Sequence, residues 1–209
     1  MAKRAVFAFL ATELSKNEWS LSLNLQNHFL IAMPSLTDPY FEQSVVYVCE
    51  HNEKGAMGLV INKPIDDFSV DTMLKKLEIT ISDKVNKRNL QRPVIAGGPV
   101  AEEHGFILHT PIGGFLSSLH LNDEVMVTTS KDILETLGSD QSPENSLVTL
   151  GYSSWEPGQL EREIMENSWL TVEATPKLIF DTPINERWAA AANLLGVNIH
   201  TISMQAGHA

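Results

Sequence analysis

Two hydrophobic periods succeed each other along the chain, and together they predict its elements. "HFLIAM" (28–33) predicts a short strand. "PSLTDPYF" after it predicts a turn, because Asp38 precedes Pro39 and is biased out of the helical region. "SVVYV" and "MGLVIN" are β-branched runs on either side of a polar segment that ends at Gly55, which predicts a hairpin. Ser69 can cap a helix in which Val70, Met73, Leu74 and Leu77 recur at helical spacing. "PVIAGG" (93–98) and "GFILHT" (105–110) predict strands. So do "SLHL" and "EVMVTT", which flank the turn pair Asn122-Asp123.

Thr129 or Ser130 opens a short helix ending at Gly138, with Thr129 and Asp132 spaced as a capping box. "SLVTLGY" predicts a buried strand, and Pro157-Gly158 open a helix over "GQLEREIMENS". "KLIF" predicts another strand. Thr182-Pro183 start a last helix, with Ile184, Trp188, Ala191 and Leu195 inward and Gly196 at its end. "VNIHTIS" predicts a closing strand. The order is strand-rich with helices placed irregularly. It predicts an α+β fold with a mixed sheet, and the missing βαβ alternation argues against a doubly wound nucleotide fold.

Composition changes this picture little. The chain has 209 residues, 43% hydrophobic and 20% charged, enough to bury a core without a disulfide or metal staple. Its single cysteine excludes an intramolecular disulfide.

Charge is more informative. The net charge is -11, and it is uneven. Residues 1–100 carry 11 basic and 11 acidic side chains, whereas residues 101–209 carry 4 basic and 15 acidic. The acidic half repels a phosphate backbone, so no direct nucleic-acid contact is expected. Lys75, Lys76, Lys84, Lys87, Arg88 and Arg92 hold six of the 15 basic residues. They read as a helix end and a solvated loop, with a local anion patch as the alternative. No apolar run reaches the ~18 residues of a membrane span. Near the start, Ala5 to Ala11 is short and is followed by Glu13 without a small-x-small site, so it reads as an extension rather than a signal peptide.

Candidate chemistry centres on "VVYVCEHNEKGAMGLVINKP" (45–64). On a regular strand Cys49 and His51 face the same side, where a histidine can activate a thiol. Their β-carbons would stand ~6–7 Å apart by strand rise, and a cysteine packed as a small hydrophobe is the preferred reading. The seven histidines include no His-x-x-x-His pair, and no metal or cofactor is expected. Gly97-Gly98 after an apolar strand can present N–H groups to an anion, but no P-loop or dinucleotide pattern surrounds them; a close backbone approach is preferred. "GYSSW" is not a nucleophile elbow. Trp155 and Gln159, at the start of the "GQLEREI" helix, can line a pocket; a buried tryptophan that anchors the helix is the preferred reading.

Four stretches taken together, "HFLIAMPSLTDPYFEQSVVYVCEHNEKGAMGLVINKP", "VIAGGPVAEEHGFILHT", "LGYSSWEPGQLEREIMENSWL" and "TPINERWAAAANLLGV", resemble the AlgH/YqgE family of bacterial proteins. The resemblance runs from about Leu25 to His208. It implies a single domain over residues 23–209, with residues 1–22 outside the match. It also implies a cytoplasmic protein whose largely antiparallel mixed sheet curls partly into a small barrel, flanked by three or four helices. The family carries a transcriptional-regulator label through its association with alginate production, and no established activity. Gln43 and Glu103-His104 stand where relatives often have Arg and Asp-Arg, so neither place offers an arginine clamp here. The position of Cys49 also varies.

The expectation is a non-catalytic binding or regulatory protein with a small-molecule or protein partner. The alternative is an enzyme with a small polar cleft around Glu50, His51 and His109. The candidate cleft residues are Glu50, His51, Asn62, Gly97, Gly98, His109, Trp155 and Gln159.

Overall fold

The computed structural model describes residues 24–79, 90–199 and 201–202. Among them, β-branched and alternating runs form ten strands: β1 (His28–Ala32), β2 (Val45–Asn52), β3 (Gly55–Val60), β4 (Pro64–Ser69), β5 (Pro93–Ala96), β6 (Val100–His109), β7 (Ser118–His120), β8 (Met126–Thr128), β9 (Ser146–Trp155) and β10 (Trp169–Glu173). The helices are α1 (Val70–Lys76), α2 (Asp132–Thr136), α3 (Gln159–Met165), α4 (Pro176–Phe180) and α5 (Arg187–Leu194), with a 3₁₀ turn at Ile184–Glu186 before α5. The fold is α+β, as the element order predicts.

The strands run in the order β10-β1-β2-β3-β9-β6-β8-β7, curled into a half-barrel. Pairing is antiparallel except between β5 and β9, which makes the sheet mixed. β9 is its fork. Ser153 to Trp155 pair with β3, whereas Thr149 and Leu150 pair with β5. Gly97 joins the two branches: its N–H donates to the Leu150 carbonyl and its carbonyl accepts from the Val60 N–H.

Apolar side chains fill three layers. Tyr47, Leu59 and Ile61 meet Ile179, Trp188 and Ala191 beneath α4 and α5. On the opposite face of the same strands, Val46, Val48 and Val60 meet Trp155, Leu160 and Trp169 beneath α3. Further along, Ile107 and Val148 meet Met73, Leu74, Ile133 and Leu134 of α1 and α2. β1 to β3 are therefore covered on both faces, which is why they read as continuous apolar runs.

Several predicted elements change identity. "KLIF" is the helix α4, not a strand. Pro176 takes the first helical position, where its fixed φ suits a helix, and Leu178, Ile179 and Phe180 are all buried. A run this short and apolar has no period to distinguish helix from strand. Nor do the described residues of "VNIHTIS" form the expected closing strand: Ile199, Thr201 and Ile202 are helical. β4 and β10 form where no strand was predicted.

Ser69 caps α1, accepting from the Thr72 N–H. The Thr129–Asp132 capping box does not form. Instead, the Ser130 hydroxyl donates to Asp132, whose carboxylate accepts from the Leu116 and Ile133 N–H groups. Leu77 and Leu195, expected inward, are 41% and 40% exposed because each lies one residue past the end of its helix.

Candidate functional site

β2 and β3 form the predicted hairpin, but its register carries a bulge. Val48 pairs with Gly58 and Glu50 with Met57, so Cys49 is an extra residue in β2. A bulge reverses the alternation of faces beyond it. Cys49 packs with Tyr47 and Leu59 under α4 and α5. His51 pairs with Ala56, which packs on the α3 face. Cys49 and His51 therefore point to opposite sides of the sheet, and the same-side expectation fails. Burial, and then the charge of Glu50, raise the thiol pKa of Cys49.

His51 is buried against α3. Its Nδ1 accepts from the Leu25 N–H at 3.0 Å, so Nε2 carries the proton of the neutral ring and donates to Glu161 Oε1 at 3.2 Å. Glu163, two residues along the helix, collects three donors. Trp155 Nε1 and Trp169 Nε1 reach its Oε2 at 2.9 and 2.8 Å, and Gln159 Nε2 reaches its Oε1 at 2.9 Å. Gln159 also accepts from the Glu156 N–H through its Oε1. Phe41, Trp155 and Trp169 form an aromatic trio with centroids 5.5–6.2 Å apart, Trp169 edge-to-face with the other two rings. So His51, Trp155 and Gln159 meet at one corner.

The other candidate residues lie elsewhere. Glu50 is exposed beside Asn52, whose Nδ2 donates to it. Asn62 ties the approach to β2 in place, accepting from the Val45 N–H at 2.7 Å and donating to the Gln43 carbonyl. Gly97 and Gly98 lie at the fork. A β-carbon on Gly97 would collide with the Gly151 carbonyl, and one on Gly98 with the Tyr152 backbone. The Gly97 N–H is already used in the ladder.

His109 is fully buried at the far end of β9, paired with Ser146. His51 reaches the near end, since its partner Ala56 pairs with Trp155. The ten residues of β9 span about 30 Å at strand rise, so the two histidines share no substrate. Both nitrogens of His109 are occupied. Nδ1–H donates to the Thr110 carbonyl, and Nε2 accepts from the Thr128 hydroxyl, each at 2.8 Å. Burial is the main cause lowering its pKa, so the ring is held neutral.

A second concave region lies where α4, α5 and the start of β9 meet. It is a cleft of about 240 Å³ whose lining includes Arg92 and Arg187. Among the described residues, no group of three or more His, Cys, Asp or Glu side chains can hold a metal. None of their helices is long and apolar enough to cross a membrane.

The family model DUF179, described as AlgH-like, matches residues 29–200. The chain belongs to the AlgH-like family. A UPF0301 protein of Proteus mirabilis (strain HI4320) is 69% identical over 187 residues, covering 90% of this chain and all of the relative. A UPF0301 protein of Photorhabdus laumondii is 64% identical with the same coverage. The solution structure of the AlgH protein from Pseudomonas aeruginosa is 44% identical and superposes with a TM-score of 0.70, covering 90% of this chain and 97% of that one. A crystal structure from Corynebacterium diphtheriae, 17% identical, superposes with a TM-score of 0.63 over 90% and 92% of the two chains, which shows a shared fold.

In this AlgH-like chain the sequence reading named His51, Trp155 and Gln159 but missed their partners. Glu161 and Glu163 carry an available signal: they lie two apart on a helix whose apolar residues, Leu160 and Ile164, flank them. Trp169 belongs to a strand that was not predicted. Nothing in the local pattern singles out Arg187, and only packing shows that it is 3% exposed.

Proposed function

We propose that the protein is a non-catalytic binding or regulatory protein that acts through a small-molecule or protein partner. The observation that carries this reading is that the fold itself occupies the groups from which chemistry was expected. Both ring nitrogens of His51 and of His109 have protein partners. The Cys49 thiol is buried with its pKa raised. A general base or nucleophile needs a free atom facing substrate, and these atoms face the protein. A regulatory role of this kind needs no direct contact with DNA, and a cytoplasmic location fits it.

The test is a thermal-shift screen against nucleotides, metals and metabolites, followed by NMR of each hit after incubation with the protein. A ligand at 100 times its dissociation constant adds about 2.7 kcal/mol, which raises Tm by roughly 5–10 °C for a chain of this size. The expected result is a stabilising compound recovered unchanged. Turnover of a hit into a product would replace this reading with an enzymatic one.

A further inference from the structure

The cleft between α4, α5 and β9 holds two arginines. Arg187, in the first turn of α5, is 3% exposed and is one of only four basic residues in the acidic half of the chain. Its Nε donates to the Thr182 carbonyl at 3.0 Å and its Nη1 to the Ile61 carbonyl. Arg92, just before β5, donates from Nη1 to the Ser146 carbonyl at 3.3 Å. All three acceptors are neutral. Among the described residues neither guanidinium forms an ion pair with a carboxylate. Asp181 also lines the cleft, but it is exposed and pairs with neither arginine.

A buried cation without a counter-charge is costly, and a second cation nearby adds to that cost. The effect is visible in Arg187, whose pKa is lowered to about 10 by burial and then by the charge of Arg92. Leu147, Phe180 and Ile184 supply an apolar wall beside the two charges. The volume, about 240 Å³, is below the usual range for drug-sized ligands, which points to a small occupant.

We infer that this cleft binds a small organic anion, its carboxylate or phosphate head held between Arg92 and Arg187 and its carbon body against Leu147, Phe180 and Ile184. Planar guanidinium forks match both head groups, and a bound oxyanion supplies the counter-charge that the protein does not. The inference rests on the binding role proposed above and gives it a ligand class and a place.

The experiment titrates the full-length protein with phenyl phosphate, benzoate and inorganic phosphate, using calorimetry and backbone amide NMR. Phenyl phosphate or benzoate is expected to bind, with the largest amide shifts at Ser146, Thr182 and Arg187. The stronger of the two identifies the preferred head. Inorganic phosphate, lacking a carbon body, should bind at least tenfold more weakly than phenyl phosphate if phosphate is that head. Arg92→Gln should weaken the better probe tenfold or more, equivalent to about 1.4 kcal/mol, and leave Tm nearly unchanged because Arg92 is exposed. Arg187→Lys keeps the charge and loses the fork, and should also weaken binding. If that variant does not fold, Arg92→Gln decides alone.

No binding at millimolar probe, amide shifts confined to another region, or an affinity that Arg92→Gln leaves unchanged would overturn the cleft. The binding role would survive each of these if another compound stabilised the protein. Conversion of a bound probe into product would instead remove the non-catalytic reading and leave the cleft in place.

Discussion

At Cys49, burial raises the thiol pKa, and the charge of the adjacent Glu50 adds to it. The consequence is a pH dependence with a definite sign. The ordinary value is 9.0. Above it the unfolded chain loses the proton while the folded chain keeps it, so stability is fully present below that pH and falls above it. One pH unit higher, the loss is about 1.4 kcal/mol. Urea unfolding of the wild type and of Cys49→Ala at neutral pH and one unit above the thiol's ordinary pKa should therefore show a larger alkaline loss in the wild type, by roughly that amount. Equal losses would mean the thiol is ionised in the native state. At this scale the residue types were legible in the sequence, but their directions were not. One bulge residue sends Cys49 and His51 to opposite faces, and no local pattern marks where a bulge falls.

Among the elements, α3 shows how polar groups dock a helix on a sheet. It has seven residues and a single fully buried side chain, Leu160, so apolar packing alone holds it weakly. Glu163 compensates by taking both indole N–H groups and the Gln159 amide. Glu163→Ala should cost about 2–4 kcal/mol, because two buried donors lose their acceptor. Glu163→Gln keeps one carbonyl oxygen and should cost about half as much. Urea unfolding followed by tryptophan emission checks both, and a loss below about 0.5 kcal/mol for the alanine variant would show that the carboxylate is not the anchor.

Helices with a cap and a clear period, such as α1 behind Ser69, were legible. α4 was not, since "KLIF" is buried throughout and its helical state follows from Pro176 and from the layer it fills. β10 was missed because a strand at that position takes its stability from pairing with β1, a partner more than 130 residues away in the chain.

For the whole molecule, the separation of charge decides what kinds of partner are compatible. The net charge of -11 resides in residues 101–209. Duplex DNA followed by fluorescence anisotropy should show no tight complex at physiological salt. A complex that weakens linearly with the logarithm of salt concentration would contradict this and restore direct regulation. Against that acidic background the cleft holding Arg92 and Arg187 is a local exception. Its charges come from segments about 95 residues apart in the chain, brought to one cleft beside Ser146 and Leu147 at the start of β9.

Taken alone, the sequence determined the fold class, the β2–β3 hairpin, the cap of α1 and the uneven charge, because each depends on short-range periodicity, local backbone preference or simple counting. It also carried the family resemblance. Tertiary structure decided the rest: the bulge at Cys49, the fork at Gly97, the burial of Arg187 and the distance separating His51 from His109. Each of these depends on which distant segments pack together, and the free energy of that packing is not written in any one window of the chain.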